Sequence, residues 1–125
     1  MGLVLHNTLT GKQEPLVTKE PGKVGLYVCG VTVYDRCPIG HARSLVFFDT
    51  VVRYLRFTGY EVNFVRNITD IDDKIIRRAA EETIPSDELA SRYIGTFRAD
   101  VAALGCLQPD IEPRATDHIP EMLDL

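Results

Sequence analysis

The chain has no tryptophan and only three cysteines, Cys29, Cys37 and Cys106, with no Cys-x-x-Cys pair among them. An odd number of unpatterned thiols excludes a disulfide framework and suits a reducing compartment, with three buried thiols as the plainest expectation. No apolar run approaches the roughly 20 residues of a membrane-spanning helix. The start, Met1-Gly2-Leu3-Val4-Leu5, lacks the basic and then apolar layout of a signal peptide. These absences predict a soluble, cytoplasmic protein. Internal repeats, low-complexity tracts and linkers are missing too.

What remains is an ordinary globular mixture, 45% apolar and 26% charged over 125 residues, enough for one domain or part of one. The net charge of −4 conceals a gradient: residues 1–66 carry 8 basic and 5 acidic side chains, residues 67–125 carry 6 and 13. A surface suited to polyanions belongs to the first half.

Leu3–Leu9 and Leu16–Val17 flank Thr10-Gly11-Lys12, which predicts a hairpin or an extended excursion. Val24-Gly25-Leu26-Tyr27-Val28-Cys29 is a nearly continuous apolar run ending at Gly30, the pattern of a parallel strand covered on both faces. Over Gly40–Thr58, Leu45, Phe48, Val52 and Leu55 recur at helical spacing, Phe47, Val51 and Tyr54 widen the stripe, and Gly59 stops the helix. Asp49 and Arg53 form an exposed pair on its polar face. Tyr60–Arg66 alternates Tyr60, Val62 and Phe64 against Glu61, Asn63 and Arg66, a second strand. Strand, loop, helix and strand make one βαβ unit, whose loops at the carboxyl edge are where open α/β sheets bind ligands.

Thr69 caps a further helix that runs through Asp70, Asp72, Asp73 and on to Arg77 and Arg78, with charges matching the helix dipole. Ser86 caps another, with Leu89, Tyr93, Phe97, Val101 and Leu104 on one face and Gly105 past its end. Two proline-marked stretches, Ile84-Pro85-Ser86 and Gln108–Pro113, punctuate these elements. A last helix begins at Thr116 and is still running at Leu125, which suggests a truncated chain.

The informative segment is Cys29–Arg43. Gly40 at a helix start lets a ligand approach the backbone, where free N–H groups and the dipole favour phosphate, and His41 and Arg43 add donors and positive charge. An ordinary strand-to-helix loop would look much the same. Cys29 reads either as a packed thiol or as a zinc thiolate that needs about three further ligands. Cys37, eight residues on, fits no tight chelate loop, and His6 and His118 sit in no motif. The aspartates at 70, 72 and 73 read as a helix-start pattern before a metal site. Asn67 and Thr69 could bind a small polar ligand or cap the helix.

Taken together, Tyr27–Asp35, Pro38-Ile39-Gly40-His41-Ala42-Arg43, Tyr54-Leu55-Arg56, Val65–Ile76 and Pro109–Thr116 closely resemble the amino-terminal part of the cysteinyl-tRNA synthetases, class I aminoacyl-tRNA synthetases. The resemblance implies an α/β fold, the amino-terminal portion, residues 1–125, of a Rossmann-type catalytic domain with parallel strands and crossover helices. It implies Cys29 as the first ligand of a zinc ion that binds the thiolate of L-cysteine, a metal contact that separates cysteine from serine where shape cannot. It also implies an amino-acid pocket lined by Gly30, Val31, Thr32, Asn67, Ile68 and Thr69, with Ser44 facing it.

Pro38, Ile39, Gly40 and His41 stand where the class I ATP signature stands, with Gly40 and His41 as its catalytic half and Arg43 following. The implied reaction is attack of the cysteine carboxylate on the α-phosphate of ATP, accompanied by Mg2+, and transfer of the cysteinyl group to tRNA(Cys). The signature's first histidine is Pro38 here, which removes a side-chain donor and an N–H. The remaining zinc ligands, second ATP signature and anticodon-reading domain are expected beyond residue 125, so the isolated chain is expected to be inactive. Two alternatives share these residues: a cysteine ligase of low-molecular-weight thiol synthesis, and a non-catalytic paralogue that binds a nucleotide or a protein. The expectation on which all of this turns is that Gly40 and His41 lie open at the rim of the sheet, beside the sulfur of Cys29.

Overall fold

A computed structural model describes residues 3–125. The predicted hairpin is present: β1 (Val4–Asn7) pairs antiparallel with β2 (Lys12–Pro15), and Gly11 takes the left-handed turn position at φ 69°. The chain then enters β3 (Lys23–Val28), crosses over through α1 (Ile39–Phe57) and returns in β4 (Glu61–Arg66), which lies parallel to β3 with Val28 opposite Arg66.

Helix α1 starts on Pro38, an extended residue with no side-chain cap, whose carbonyl accepts from the N–H groups of His41 and Ala42. It buries Val52 and Leu55 against Val28, Val62 and Phe64, and Leu45 in a separate cluster with Phe97 and Val101. Phe47 and Tyr54, expected to widen that stripe, are exposed, because the sheet is only wide enough to cover the narrower face. The prediction that β3 is covered on both faces is also corrected. Val24, Leu26 and Val28 turn toward α1, whereas Tyr27 on the opposite pleat is 63% exposed, since no part of residues 3–125 packs over that side.

The sheet has a third course that the proline-marked reading missed. Val65 pairs with Ile111 and Ile68 with Arg114, both parallel. The N–H groups of Arg66 and Ile68 donate to the carbonyls of Ile111 and Pro113 at 3.1 and 2.8 Å, and Asp110 N–H donates to Phe64 at 2.8 Å. Pro109 and Pro113 offer no N–H, so the course stays irregular and confined to the edge. Asp110 clamps it further by accepting from Phe64 N–H at 2.7 Å and from Arg56 at 2.9 Å.

Between β4 and this course, α2 (Asp73–Glu82) and α3 (Ser86–Ala103) pack over a core of Val33, Ile68, Ile75, Ala79, Leu89, Ala90 and Ile94. Both predicted caps move. Asp72, not Thr69, caps α2 by accepting from Lys74 N–H at 2.8 Å, because Thr69 is still engaged in the sheet. Pro85 precedes α3 with no side-chain cap, and Ser86 lies inside the helix. Leu104 falls beyond the end of α3 and is exposed. The tail forms a 3-10 turn (Thr116–His118) and a short exposed helix, α4 (Ile119–Leu123).

Asp49 is not the exposed partner of Arg53 that helical spacing suggests. Its side chain is 14% exposed and accepts from Arg53 Nε and from Leu107 N–H, both at 2.7 Å, while Arg53 also donates to the Gly105 carbonyl at 2.9 Å. Burial alone would raise the Asp49 carboxyl, but these hydrogen bonds and the Arg53 charge outweigh it and hold the group below its ordinary value. The stability it supplies is therefore fully present above the unfolded aspartate pKa of roughly 4 and is lost as pH falls through the lower folded value. Asp49→Asn is expected to cost about 1–3 kcal/mol at neutral pH and much less near pH 2, read from urea unfolding at the two pH values.

Candidate active site

The site forms where β3 and β4 end. Beyond Val28 and Arg66 the two strands do not separate but stay stitched: Thr32 pairs with Thr69, Thr69 N–H donates to Val31 at 3.1 Å, and Val33 N–H donates to Thr69 at 3.2 Å. At the crossing, Gly30 N–H donates to Asn67 Oδ1 at 2.7 Å. The backbones are so close there that a Cβ on Gly30 would lie 1.5 Å from the Asn67 carbonyl oxygen. Glycine at this position is a requirement of close approach.

A cleft of about 120 Å3 opens between these strand ends and the start of α1. Cys29, Gly30 and Val31 form one wall, His41, Ser44 and Phe48 the other, with Phe64 and Arg66 below. An adjoining cleft of about 130 Å3 is bordered by Thr32, Tyr34, Arg36, Pro38 and Phe97, and His41 borders both. The imidazole therefore stands on the ridge between two small compartments. The α1 N-terminus faces this region with no side-chain cap, so its first N–H groups and the positive end of its dipole are free for a ligand.

Among the predicted residues, Cys29, Gly30, Val31, Ser44 and His41 come together in the first cleft, and Thr32 and Pro38 join His41 in the second. Asn67 and Thr69 act as braces: Asn67 holds Gly30, and its Nδ2 donates to Thr69 Oγ1 at 3.4 Å. Ile68 lies in the core between them with no exposure, its N–H given to Pro113 and its carbonyl to Ala115. Ile39 is 88% exposed, and neither it nor Arg43 borders either cleft. Gly40 is open on its Cβ side, so only an arriving ligand, not the fold, would need glycine there.

The expected burial of all three thiols is corrected as well. Cys29 is exposed at the cleft mouth, and Cys37 and Cys106 are half-buried against Leu45, Phe97 and Val101. Burial pushes the thiols of Cys37 and Cys106 up, helped by the negative charges of Asp100 and Asp49 respectively, so both stay protonated.

Sequence reasoning placed Arg66 on the polar side of β4. Its parity with Val62 and Phe64 puts it inside instead, 2% exposed, with its guanidinium 5.2 Å from the Phe97 ring centre and Nη2 3.0 Å from Glu112 Oε1. Counting by twos from Val62 would have found it.

Among the described residues no group of three or more His, Cys, Asp or Glu side chains could hold a metal ion. Cys29 can offer one thiolate and these residues supply nothing to complete a tetrahedral site, so zinc does not fit this chain by itself. Among the described residues no helix is long and apolar enough to cross a membrane.

Parallel strands joined by a crossover helix, with a two-compartment cleft at their carboxyl ends, define the ligand-binding edge of an α/β domain. The model of the class I (C) tRNA synthetase catalytic domain matches residues 15–125, and the chain belongs to that family. It is 57% identical over its whole length to a cysteine–tRNA ligase of Trichlorobacter lovleyi, covering 26% of that protein. It is 58% identical over 123 residues, 98% of the chain, to a cysteine–tRNA ligase of Legionella pneumophila, covering 27% of it. The cysteine–tRNA ligase of Desulfotalea psychrophila matches at 58% over the full chain and 26% of its own length. The chain thus spans about a quarter of the length of these curated relatives.

Proposed function

We propose that residues 1–125 are the amino-terminal portion of the catalytic, nucleotide-binding domain of a cytoplasmic ligase that activates L-cysteine with ATP and transfers it to tRNA(Cys). The observation that carries this reading is the placing of Cys29 and His41 on opposite walls of one cleft at the strand ends. The thiol end of cysteine lies at Cys29, where a zinc ion bound with ligands from outside residues 3–125 would select sulfur over oxygen. The Cys29-to-Val31 wall and Ser44 hold the amino acid, and the Asn67–Gly30 hydrogen bond keeps that wall in place.

ATP, with Mg2+, lies over the start of α1 and the Pro38 side of His41. The cysteine carboxylate attacks the α-phosphate, forming the acyl–phosphate bond as the bond to pyrophosphate breaks. His41 and the free N–H groups of the helix start are the donors available for the phosphate charge that develops. Both alternatives, thiol synthesis and a non-catalytic paralogue, lack support from relatives that are themselves cysteine–tRNA ligases.

The test is cysteine-dependent ATP–pyrophosphate exchange in the complete polypeptide that contains this chain. Exchange with cysteine and not with serine supports the reading, and exchange indifferent to cysteine rejects it. Residues 1–125 alone are expected to show no aminoacylation of purified tRNA, because they provide one zinc ligand and part of a phosphate site; measurable charging would refute that. Pro38→His in the complete polypeptide restores an imidazole at the helix start and is expected to raise exchange by roughly tenfold, the worth of one hydrogen bond to a charged group. An unchanged rate would show that Pro38 costs the site nothing.

A further inference from the structure

Arg66 is a buried charge without full compensation. Its side chain is 3% exposed, and its ion-pair partner, Glu112, is shared: Oε1 takes Arg66 Nη2 at 3.0 Å while Oε2 takes Arg98 Nε at 2.8 Å. Two guanidiniums over one carboxylate leave an excess positive charge. Arg66 Nε, a donor that cannot be deprotonated, is buried and finds no acceptor among the described residues. Two neighbouring groups offer no relief: Asp49 is committed to Arg53 and Leu107, and the Cys106 thiol, within reach of the Arg66 field, is kept protonated by burial. An uncompensated guanidinium inside a protein is costly unless an anion arrives to meet it.

Arg66 also lines the cleft whose walls carry Cys29 and His41. At about 120 Å3 the cleft is on the scale of a small amino acid. We infer that Arg66 is the carboxylate-recognising charge of this cleft, drawing the anionic end of an amino acid inward below His41 while its thiol end stays at Cys29. This deepens the reading of the cleft as a cysteine site and rests on it. The Phe97 face and Glu112 hold the guanidinium in position, and the excess charge it shares with Arg98 gives the cleft its preference for an anion.

Cysteamine carries the thiol and the amine of cysteine without the carboxylate, so it separates this role from a general structural one. In the complete polypeptide, the KM for cysteine and the inhibition constant of cysteamine are measured together by ATP–pyrophosphate exchange. Arg66→Met is expected to raise the cysteine KM by roughly ten- to a hundredfold, as for losing a hydrogen bond to a charged group, with cysteamine inhibition within about twofold of its original value. Arg66→Lys, which keeps the charge, should recover part of that loss.

Parallel weakening of both ligands, or no change in either, overturns the inference while leaving the ligase reading intact. Absence of cysteine-dependent exchange in the unsubstituted protein fails the ligase reading and this inference with it. If Arg66→Met does not fold, Glu112→Gln carries the test. Removing the shared negative charge is expected to increase the preference for cysteine over cysteamine severalfold, and an unchanged or reduced preference overturns the assignment.

Discussion

Gly30→Ala is expected to abolish cysteine activation and to destabilise the protein by about 3 kcal/mol or more, the range of severe backbone clashes. The added methyl would sit 1.5 Å from the Asn67 carbonyl oxygen, inside a contact between two backbones rather than against a side chain that could rotate away. Relief requires the ends of β3 and β4 to part, which breaks the Gly30–Asn67 hydrogen bond and loosens the Thr32–Thr69 pairing beyond it. The wall carrying Cys29 then loses its position. Gly40→Ala makes the contrast: its Cβ meets no described atom, so the unfolding free energy should be unchanged while any loss of exchange reports crowding of the ligand alone. Urea unfolding and exchange rates on the two variants check both statements, and a stable, active Gly30→Ala protein would contradict them.

His41→Ala should lower the exchange rate by about two to three orders of magnitude, the worth of one donor aimed at charge that develops in the transition state. Its side chain borders both compartments and is exposed, and the helix-start bonds to the Pro38 carbonyl come from the backbone, so they survive the substitution. Stability should therefore stay within about 0.5 kcal/mol, and the cysteine KM should move little. A large rise in KM at constant rate would make His41 a binding residue for the amino acid instead of a transition-state donor.

Much of this was legible in the sequence because local pattern and tertiary packing agree. The apolar run before Gly30, the helical spacing of Leu45, Val52 and Leu55, and the alternation of Val62 and Phe64 place the βαβ unit and hence the ligand edge. The positions of Cys29 and His41 at that edge followed from the placement, whereas the roles expected of them came from the resemblance. The failures share a cause: each depends on what lies across from a residue rather than beside it in the chain. Asp49 looked like a surface partner of Arg53 until the N–H of Leu107, 58 residues away, supplied its second bond. Gln108–Pro113 read as punctuation because prolines mask a strand that is held by β4 more than by its own propensity.

The cap at Thr69 failed for the same reason, since its backbone is held by strand pairing with Val31 and Val33, whereas Ser86 failed because the helix already begins at it, after Pro85. Ile68 lies in a motif whose neighbours Asn67 and Thr69 brace the cleft wall, and strand alternation turns it into the core. Arg66 is the instructive case. Its parity marked it as inward, and its charge argued for the outside. Glu112 and Phe97, which resolve the conflict, come from segments 31 or more residues downstream.

The most direct measurement is a crystal structure of the complete polypeptide bound to a sulfamoyl analogue of cysteinyl adenylate. The account predicts the cysteinyl sulfur beside Cys29, the acyl end over Arg66, and the sulfamoyl group within hydrogen-bond reach of His41 and the start of α1. An analogue seated elsewhere, or a cleft between Cys29 and His41 filled by side chains from the rest of the protein, would contradict it.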